Sequence, residues 1–201
     1  MDRLLSEGQF PPRWSGELGY GYGYPLFLFN YPLPALVGEI FHRVGFNFVD
    51  SVKAVLFLSL FLSTLGMYLF LKALFGSRLA AFLGAVFYLY APIHLIVVYV
   101  SGAAGASLGL VFPPFIFWAI VKLWQREDNK FLLVGALSVA GLILSHNITA
   151  FIFMPVILAF VIVLKLLADR RKDRHFLRNV VLMFLLGLGL SAFFWLPAMG
   201  E

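Results

Sequence analysis

The sequence predicts an all-α integral membrane protein, with about six transmembrane helices behind an irregular and amphipathic outer segment. Hydrophobic residues make up 62% of its 201 residues and charged residues only 12%, whereas soluble domains average about 45–50% and about 25%. Four long stretches contain no Asp, Glu, Lys or Arg, namely 54–71, 79–121, 131–164 and 179–200. This composition excludes a soluble domain and a disordered chain, because so much apolar surface needs a bilayer to cover it.

The lengths of the uncharged stretches give the number of spans. A helix crosses the hydrocarbon core with about 20 apolar residues. The first and last stretches fit one span each, while the second and third, of 43 and 34 residues, fit two each. Turns are predicted at 101–106 and 145–149. The predicted spans are about 54–71, 79–100, 107–122, 131–145, 149–165 and 179–198, so residues 1–52 form an outer segment and residues 53–201 the transmembrane part.

The placement of the basic residues predicts the orientation. Loops 72–78, 122–130 and 165–178 carry 11 of the 15 Lys and Arg residues, and the two predicted turns carry none. Because basic loops stay in the cytoplasm, we expect a plasma-membrane protein with these loops inside and with residues 1–52 and both turns outside. The basic cluster at 170–174 is explained by this retention and by anionic lipid headgroups, so no nucleic-acid partner is predicted.

The outer segment has two parts of different character. Residues 8–35 are rich in Gly, Pro and aromatic residues, which predicts an ordered irregular loop. Residues 33–44 place Leu33, Leu36, Val37, Ile40, Phe41 and Val44 at helical spacing, which predicts a helix lying flat on a leaflet. Residues 1–25 contain no apolar signal sequence. We therefore expect a membrane helix upstream of Met1, in a larger protein of which this chain is an internal piece.

Polar and aromatic residues on the outer face are the candidate binding residues. Trp14, Tyr22 and Tyr24 either form an aromatic belt at the headgroup level or a platform for a sugar or an isoprenoid. His146 and Asn147 lie at the tip of a predicted hairpin. His146 is either a hydrogen-bonded helix cap or a contact for a substrate phosphate.

The remaining histidines give no sign of a metal site. His94 follows Pro92, so it either satisfies the backbone at a kink or faces an outer cavity. The four histidines, His42, His94, His146 and His175, have no zinc-ligand spacing, and the chain contains no Cys. No metal site and no cofactor are therefore predicted, and metal dependence stays open.

Four blocks of the sequence resemble one family of large bacterial membrane proteins. They are PRWSGELGYGYGYPLFLFNYPLP, YAPIHLIVVYVSGAAGA, LSHNITA and LSAFFWLPA, and they occur in this order along nearly the whole chain. The family is described as a 6-pyruvoyl-tetrahydropterin synthase-related membrane domain, and it resembles glycosyltransferases of the GT-C type. The pterin label itself does not fit, because the soluble synthase uses a histidine zinc site.

The resemblance implies a GT-C-like fold and a glycosyltransferase that uses a polyprenyl-phosphate-linked sugar at the outer membrane face, with this donor and membrane lipids as partners. It places the catalytic base near the preceding helix, upstream of Met1, with Glu17 as a substitute, and it gives Arg13, His146 and Asn147 as phosphate or sugar ligands. Where relatives have an Arg and a Glu in an R-G-A-x-x-E pattern, this chain has Ser101 and Ala106. Because of that departure, an inactive member of the family stays an alternative to an active one. The alternative function is a non-catalytic carrier or scaffold for lipid-linked saccharides.

Overall fold

The computed structural model describes residues 1–125, 128–167 and 170–200, without the side chains of 170–174. About 80% of the chain is helical and the described part contains no strand, so the predicted all-α class is confirmed. The helices are α1 Asp2–Ser6, α2 Leu26–Phe29, α3 Leu33–Arg43, α4 Phe48–Phe75, α5 Arg78–Leu89, α6 Pro92–Leu95 followed by a π-helical segment Ile96–Val100, α7 Ala104–Gly109, α8 Phe112–Gln125, α9 Asn129–Ser145, α10 Asn147–Leu167, α11 Arg170–Leu190 and α12 Ala192–Gly200.

Three to five of these helical segments are long and apolar enough to cross a membrane, among the residues described. Phe48–Phe75, Ala104–Gln125 and Asn147–Leu167 meet the length and composition that a span needs. Two bent pairs, α5 with α6 and its π-helical extension, and α11 with α12, bring the number to five. Helix α9 has 17 residues, or about 25 Å at 1.5 Å per residue, which is short for a hydrocarbon core of about 30 Å. The six predicted spans stay a prediction.

The core of the bundle forms around α8. Ile116, Ala119 and Ile120 of this helix are fully buried, and α8 contacts both α4 and α9. Helix α9 packs in turn on α11, where a Cβ at Gly135 would overlap the Met183 side chain. The close approach of these helices therefore depends on a small residue, as is common between helices in membranes.

Two interruptions divide predicted spans into segments. The helix bends by 43° between α5 and α6, at the predicted kink before Pro92. The 67° bend between α11 and α12 was not predicted. There the Ser191 hydroxyl donates to the Gly187 carbonyl at 3.0 Å, and Pro197 removes a backbone donor inside α12. Both features bend helices.

The predicted turns and the outer loop are shorter than expected. Helix α7 starts at Ala104, so the turn 101–106 is reduced to its first three residues, and His146 alone separates α9 from α10. Within the region predicted to be irregular, one turn of helix forms at α2. Helix α3 matches the predicted helix at 33–44, and α4 begins six residues before the predicted span.

The connections fall into two groups at opposite ends of the bundle. At one end, α3 packs on the start of α4, on α7 and on the end of α9, while α2 packs on α12. At the other end, the Gln125 side-chain amide donates to the Ala73 carbonyl at 2.7 Å, which ties the basic loops after α4 and α8 together. Arg126 and the side chains of the basic cluster at 170–174 lie outside the described residues. The structure thus gathers the predicted outer connections at one end, and which end faces the cytoplasm stays a prediction.

Candidate functional site

A cavity of about 380 Å³ lies between α3 and the first turns of α4, beside the start of α7. Most of its wall is apolar, including Pro34, Ala35, Val52 and Val55. Five polar or ionisable side chains also line it, namely Asp2, Tyr31, Glu39, His42 and Ser51. We call it the Glu39 cavity. An apolar cavity with a few converging polar groups is the usual form of a small-molecule site.

Glu39 gives this cavity a buried carboxylate. Its side chain is almost completely covered, and the Arg43 guanidinium donates from Nε to Oε1 at 2.7 Å. The two residues lie four apart on α3, the spacing at which side chains meet on a helix surface. Helix α3 packs on α4, and a Cβ at Gly38 would be in ordinary van der Waals contact with Val55 at 3.8 Å. The packing buries the carboxylate, and the arginine compensates its charge.

His42 adds an imidazole whose tautomer follows from its neighbours. Its Nδ1 lies 2.8 Å from the Phe46 carbonyl oxygen, which can only accept a hydrogen bond. Nδ1 therefore carries a proton, and in the neutral ring Nε2 has the free lone pair. The ring stacks on Phe48 with the two centroids 4.1 Å apart, which fixes its orientation. His42 can thus accept a proton or a hydrogen bond in the cavity.

Tyr31 connects the Glu39 cavity to the hairpin tip at His146. Its ring lies over Gly105, where any Cβ would overlap it, and its centroid is 5.1 Å from that of the His146 ring. A second glycine, Gly109, lets the tip approach α7, because a Cβ there would lie 3.0 Å from the His146 Cβ. Two glycines on one face of α7 therefore bring the tip against the cavity wall.

His146 is a helix cap in the structure. Its Nδ1 accepts the Thr149 backbone N–H at 3.1 Å and lies 2.8 Å from the Thr149 hydroxyl. This bond satisfies one of the free donors at the start of α10. Burial lowers the pKa of His146 below its ordinary value and so favours the neutral ring, whose Nε2 then carries the proton. The observed cap is one of the two predicted roles. The phosphate contact, for which Nε2–H and the exposed Asn147 are available, stays a prediction.

The predicted loop residues form a separate, exposed group. An antiparallel bridge joins Ser15 to Tyr24, and Trp14 covers Gly23, where a Cβ would overlap the indole. Positive φ angles at Gly19, Tyr20, Gly21 and Gly23 close the turn. Arg13, Trp14, Tyr22 and Tyr24 are exposed at its surface. The loop is ordered, as predicted, by backbone hydrogen bonds rather than by a core.

Glu17 lies apart from the Glu39 cavity. It is exposed, forms an ion pair with Arg3 and lines a smaller cavity of about 170 Å³ with Glu7 and Ser15. Its side chain is 64% exposed, so water competes with any acceptor for this carboxylate. Its role as a substitute base stays a prediction, and the structure offers Glu39 as a second candidate.

His94 is buried beside Tyr88, and both of its predicted roles stay predictions. Its side chain is only 1% exposed, and among the described residues neither ring nitrogen has a hydrogen-bond partner. It meets the Tyr88 ring edge-on at 4.7 Å, and the Tyr88 hydroxyl donates to the Leu110 carbonyl at 2.8 Å. His94 does not line the Glu39 cavity.

Sequence reasoning missed Glu39 as a candidate because it fell off the apolar stripe of α3. The available signal was the Glu39-x-x-x-Arg43 spacing, which places a carboxylate where an arginine can cover it when the helix is packed. Across the described ranges, no group of three or more His, Asp and Glu side chains is arranged to hold a metal ion.

Comparison with known proteins identifies the family. Residues 28–201 match the family described as 6-pyruvoyl-tetrahydropterin synthase related domain, membrane protein. An uncharacterized protein of Lactococcus lactis subsp. cremoris (strain MG1363) is 27% identical over 202 residues, which cover 96% of this chain and 32% of the relative. The chain thus spans about a third of the length of that relative. No solved structure matches the sequence. Since the family match covers most of the chain, this protein belongs to the 6-pyruvoyl-tetrahydropterin synthase related domain family of membrane proteins.

Proposed function

We propose that this domain is part of a membrane-embedded, GT-C-like glycosyltransferase that uses a polyprenyl-phosphate-linked sugar, with the Glu39 cavity as the site where the acceptor is activated. The observation that carries the proposal is the buried carboxylate of Glu39 in an apolar cavity. This cavity lies at the same end of the bundle as the aromatic loop and the His146 tip. A mostly apolar wall with a buried carboxylate suits the deprotonation of a bound hydroxyl, and Asp2 adds a second carboxylate to the lining.

The proposed reaction assigns a role to each cavity group. The acceptor hydroxyl loses its proton to Glu39 as its oxygen attacks the anomeric carbon. The bond between that carbon and the phosphate oxygen breaks, and the polyprenyl phosphate leaves with the electron pair and the negative charge. Arg43, bonded to Glu39 Oε1 at 2.7 Å, holds the carboxylate in position before the step. The Nε2 lone pair of His42 is a second acceptor within the same cavity.

The leaving phosphate needs donors, and the predicted binding residues supply them in this proposal. Arg13 has an exposed guanidinium in the loop, and His146 has its Nε2–H beyond the cap. Guanidinium groups bind phosphate oxygens in a bidentate manner. Trp14, Tyr22 and Tyr24 offer exposed rings on which a sugar can stack. The donor would then lie between the loop and the hairpin tip.

A second candidate function is a non-catalytic carrier or scaffold for lipid-linked saccharides. One observation favours it, because Arg43 already neutralises Glu39 through a direct bond. The family resemblance adds an expectation of an Arg and a Glu at the positions where this chain has Ser101 and Ala106. A carboxylate held by an arginine is a weaker base than a free one. In this case the cavity would bind a saccharide without transferring it.

Sugar transfer by the purified full-length protein distinguishes the two functions. The assay follows a radiolabelled sugar from a polyprenyl-phosphate donor to extracted envelope acceptors. We expect Glu39→Gln to lower the rate about 10²- to 10⁴-fold, as for loss of a general base. Glu7→Gln, which also removes a carboxylate that is paired with an arginine four residues away, is the matched control and should retain full activity.

The other outcomes assign the site elsewhere. Full activity of Glu39→Gln together with a loss in Glu17→Gln would move the base to the loop. Saturable binding of the lipid-linked saccharide by the wild type without any turnover would support the carrier. No binding and no transfer with any donor would contradict both functions.

A further inference from the structure

A second concave surface opens beside α3 and shares no lining residue with the Glu39 cavity. It is a groove of about 600 Å³ between the end of α3 and the first turns of α4. Its apolar wall consists of Phe41, Phe46, Phe57 and Leu58, and its charged end of Asp50 and Lys53. We call it the Phe57 groove. Phe41 and Phe46 brace one side through an edge-on ring contact at 5.8 Å.

The charged end of the groove presents one group of each sign. The Lys53 ammonium donates to Asp50 Oδ1 at 3.1 Å, and both side chains are largely open to solvent. The other Asp50 oxygen accepts from the Asn47 side-chain amide at 2.7 Å, which holds the carboxylate in place. An ammonium has three N–H donors, so Lys53 keeps two for a ligand. The end of the groove is therefore zwitterionic.

The apolar part runs from this charged end along a candidate membrane span. Phe57 and Leu58 follow Lys53 by four and five residues, which is about 6 to 8 Å along a helix. From that point residues 54–71 contain no charged side chain, and Phe57 is exposed on the helix surface. In a membrane protein such a surface faces hydrocarbon. The groove thus passes from a polar boundary into the apolar region.

We infer that the Phe57 groove binds a diacyl phospholipid with a phosphoethanolamine headgroup. The lipid phosphate accepts hydrogen bonds from Lys53, and its ammonium donates to Asp50. One acyl chain then lies along Phe57 and Leu58. A phospholipid whose headgroup carries only negative charge would satisfy Lys53 but would offer no ammonium to the Asp50 carboxylate. Charge complementarity therefore selects the zwitterionic headgroup. This inference is independent of the proposed enzymatic activity.

The test measures lipid binding to the full-length protein by native mass spectrometry. The detergent-solubilised protein is titrated with dioleoyl phosphatidylethanolamine and with dioleoyl phosphatidylglycerol, which differ only in the headgroup. We expect the first lipid to bind about tenfold more tightly, because only its ammonium can donate a charge-assisted hydrogen bond to the Asp50 carboxylate. Equal affinity for the two lipids, or tighter binding of phosphatidylglycerol, would overturn the inference.

Variants locate the binding in the groove. Lys53→Ala should weaken the binding of both lipids. Asp50→Asn should remove the preference for phosphatidylethanolamine while both lipids still bind. Phe57→Ala, at an exposed position, should weaken the binding of both lipids equally, because it removes a contact with the acyl chain. Lys130→Ala, an exposed lysine at the opposite end of the bundle, is the control and should leave both affinities unchanged. A preference that survives in Asp50→Asn and Lys53→Ala would place the lipid outside this groove.

Discussion

Two arginine–glutamate pairs in this chain show how a carboxylate's surroundings decide what it can do. In α1, Arg3 donates to Glu7 at 2.8 Å, and in α3, Arg43 donates to Glu39 at 2.7 Å, each across four residues. The Glu7 side chain is 48% exposed and the Glu39 side chain 5%. The first pair belongs to the exposed loop region, where water competes with the arginine. The second lines a cavity, where the carboxylate is available for binding or chemistry.

Removing the arginine from each pair should give the largest difference between the two regions. We expect Arg43→Ala to lower the free energy of unfolding by about 3 kcal/mol, because it leaves a buried carboxylate without its partner. Arg3→Ala should cost less than about 1 kcal/mol, as for exposed pairs. Unfolding in detergent followed by circular dichroism measures both. Glu39→Gln in the Arg43→Ala background should recover part of the loss, and equal losses in the two single variants would contradict the comparison.

Adding a methyl group at one glycine in each region should give the next largest effect. A Cβ at Gly105 would overlap the Tyr31 ring, whereas Gly16 has no atom within 4 Å of its Cβ position and no positive φ. We expect Gly105→Ala to destabilise the fold by about 1–2 kcal/mol, through overpacking, and Gly16→Ala by less than about 0.5 kcal/mol. The thermal midpoints of the purified variants measure the difference.

A double variant shows whether Tyr31 causes the effect. In the Tyr31→Ala background, the additional cost of Gly105→Ala should fall towards zero, because the methyl group then has room. If the destabilisation by Gly105→Ala and by Tyr31→Ala simply adds in the double variant, the strain arises elsewhere in α7.

The charge pattern of the sequence accounts for much of the fold and for little of the site. Charge-free stretches predicted where helices form, and the Gly- and Pro-rich loop was predicted as an ordered turn. The burial of Glu39 could not be predicted, because burial in a membrane protein does not follow the amphipathic rule of soluble helices. Ile40 in α3 and Val44 just after it are exposed, while Glu39 is covered. An apolar solvent lets hydrophobic side chains face outwards, so only packing against α4 decides which side of α3 is inside.

The bends illustrate the same limit of local reasoning. The kink before Pro92 was predicted because proline acts on its own turn of helix. The larger bend at Ser191 depends on whether the hydroxyl bonds its own backbone or a neighbour, and here it bonds the Gly187 carbonyl at 3.0 Å. The sequence shows that a serine is present, but it does not show which acceptor the hydroxyl bonds.

The pH dependence of stability should give the smallest effect, and it should come from the cavity side, since residues 1–30 contain no histidine. Burial lowers the pKa of His146 in the folded state, so the unfolded chain, with an ordinary histidine pKa of about 6.5, binds more protons. Stability therefore rises with pH through this range and is lost as the pH falls below about 6.5. Protonation also removes the Nδ1 acceptor from the α10 cap.

Replacing the histidine by a non-titrating cap isolates this contribution. Asparagine is a good N-cap residue, so His146→Asn should keep α10 capped while removing the titration. We expect the thermal midpoint of the wild type to fall between pH 7.5 and pH 5.5, and the midpoint of His146→Asn to fall less. If the thermal midpoint falls equally with pH in the two proteins, His146 is as open to water as the loop residues. His146 would then belong with the exposed region rather than with the cavity side.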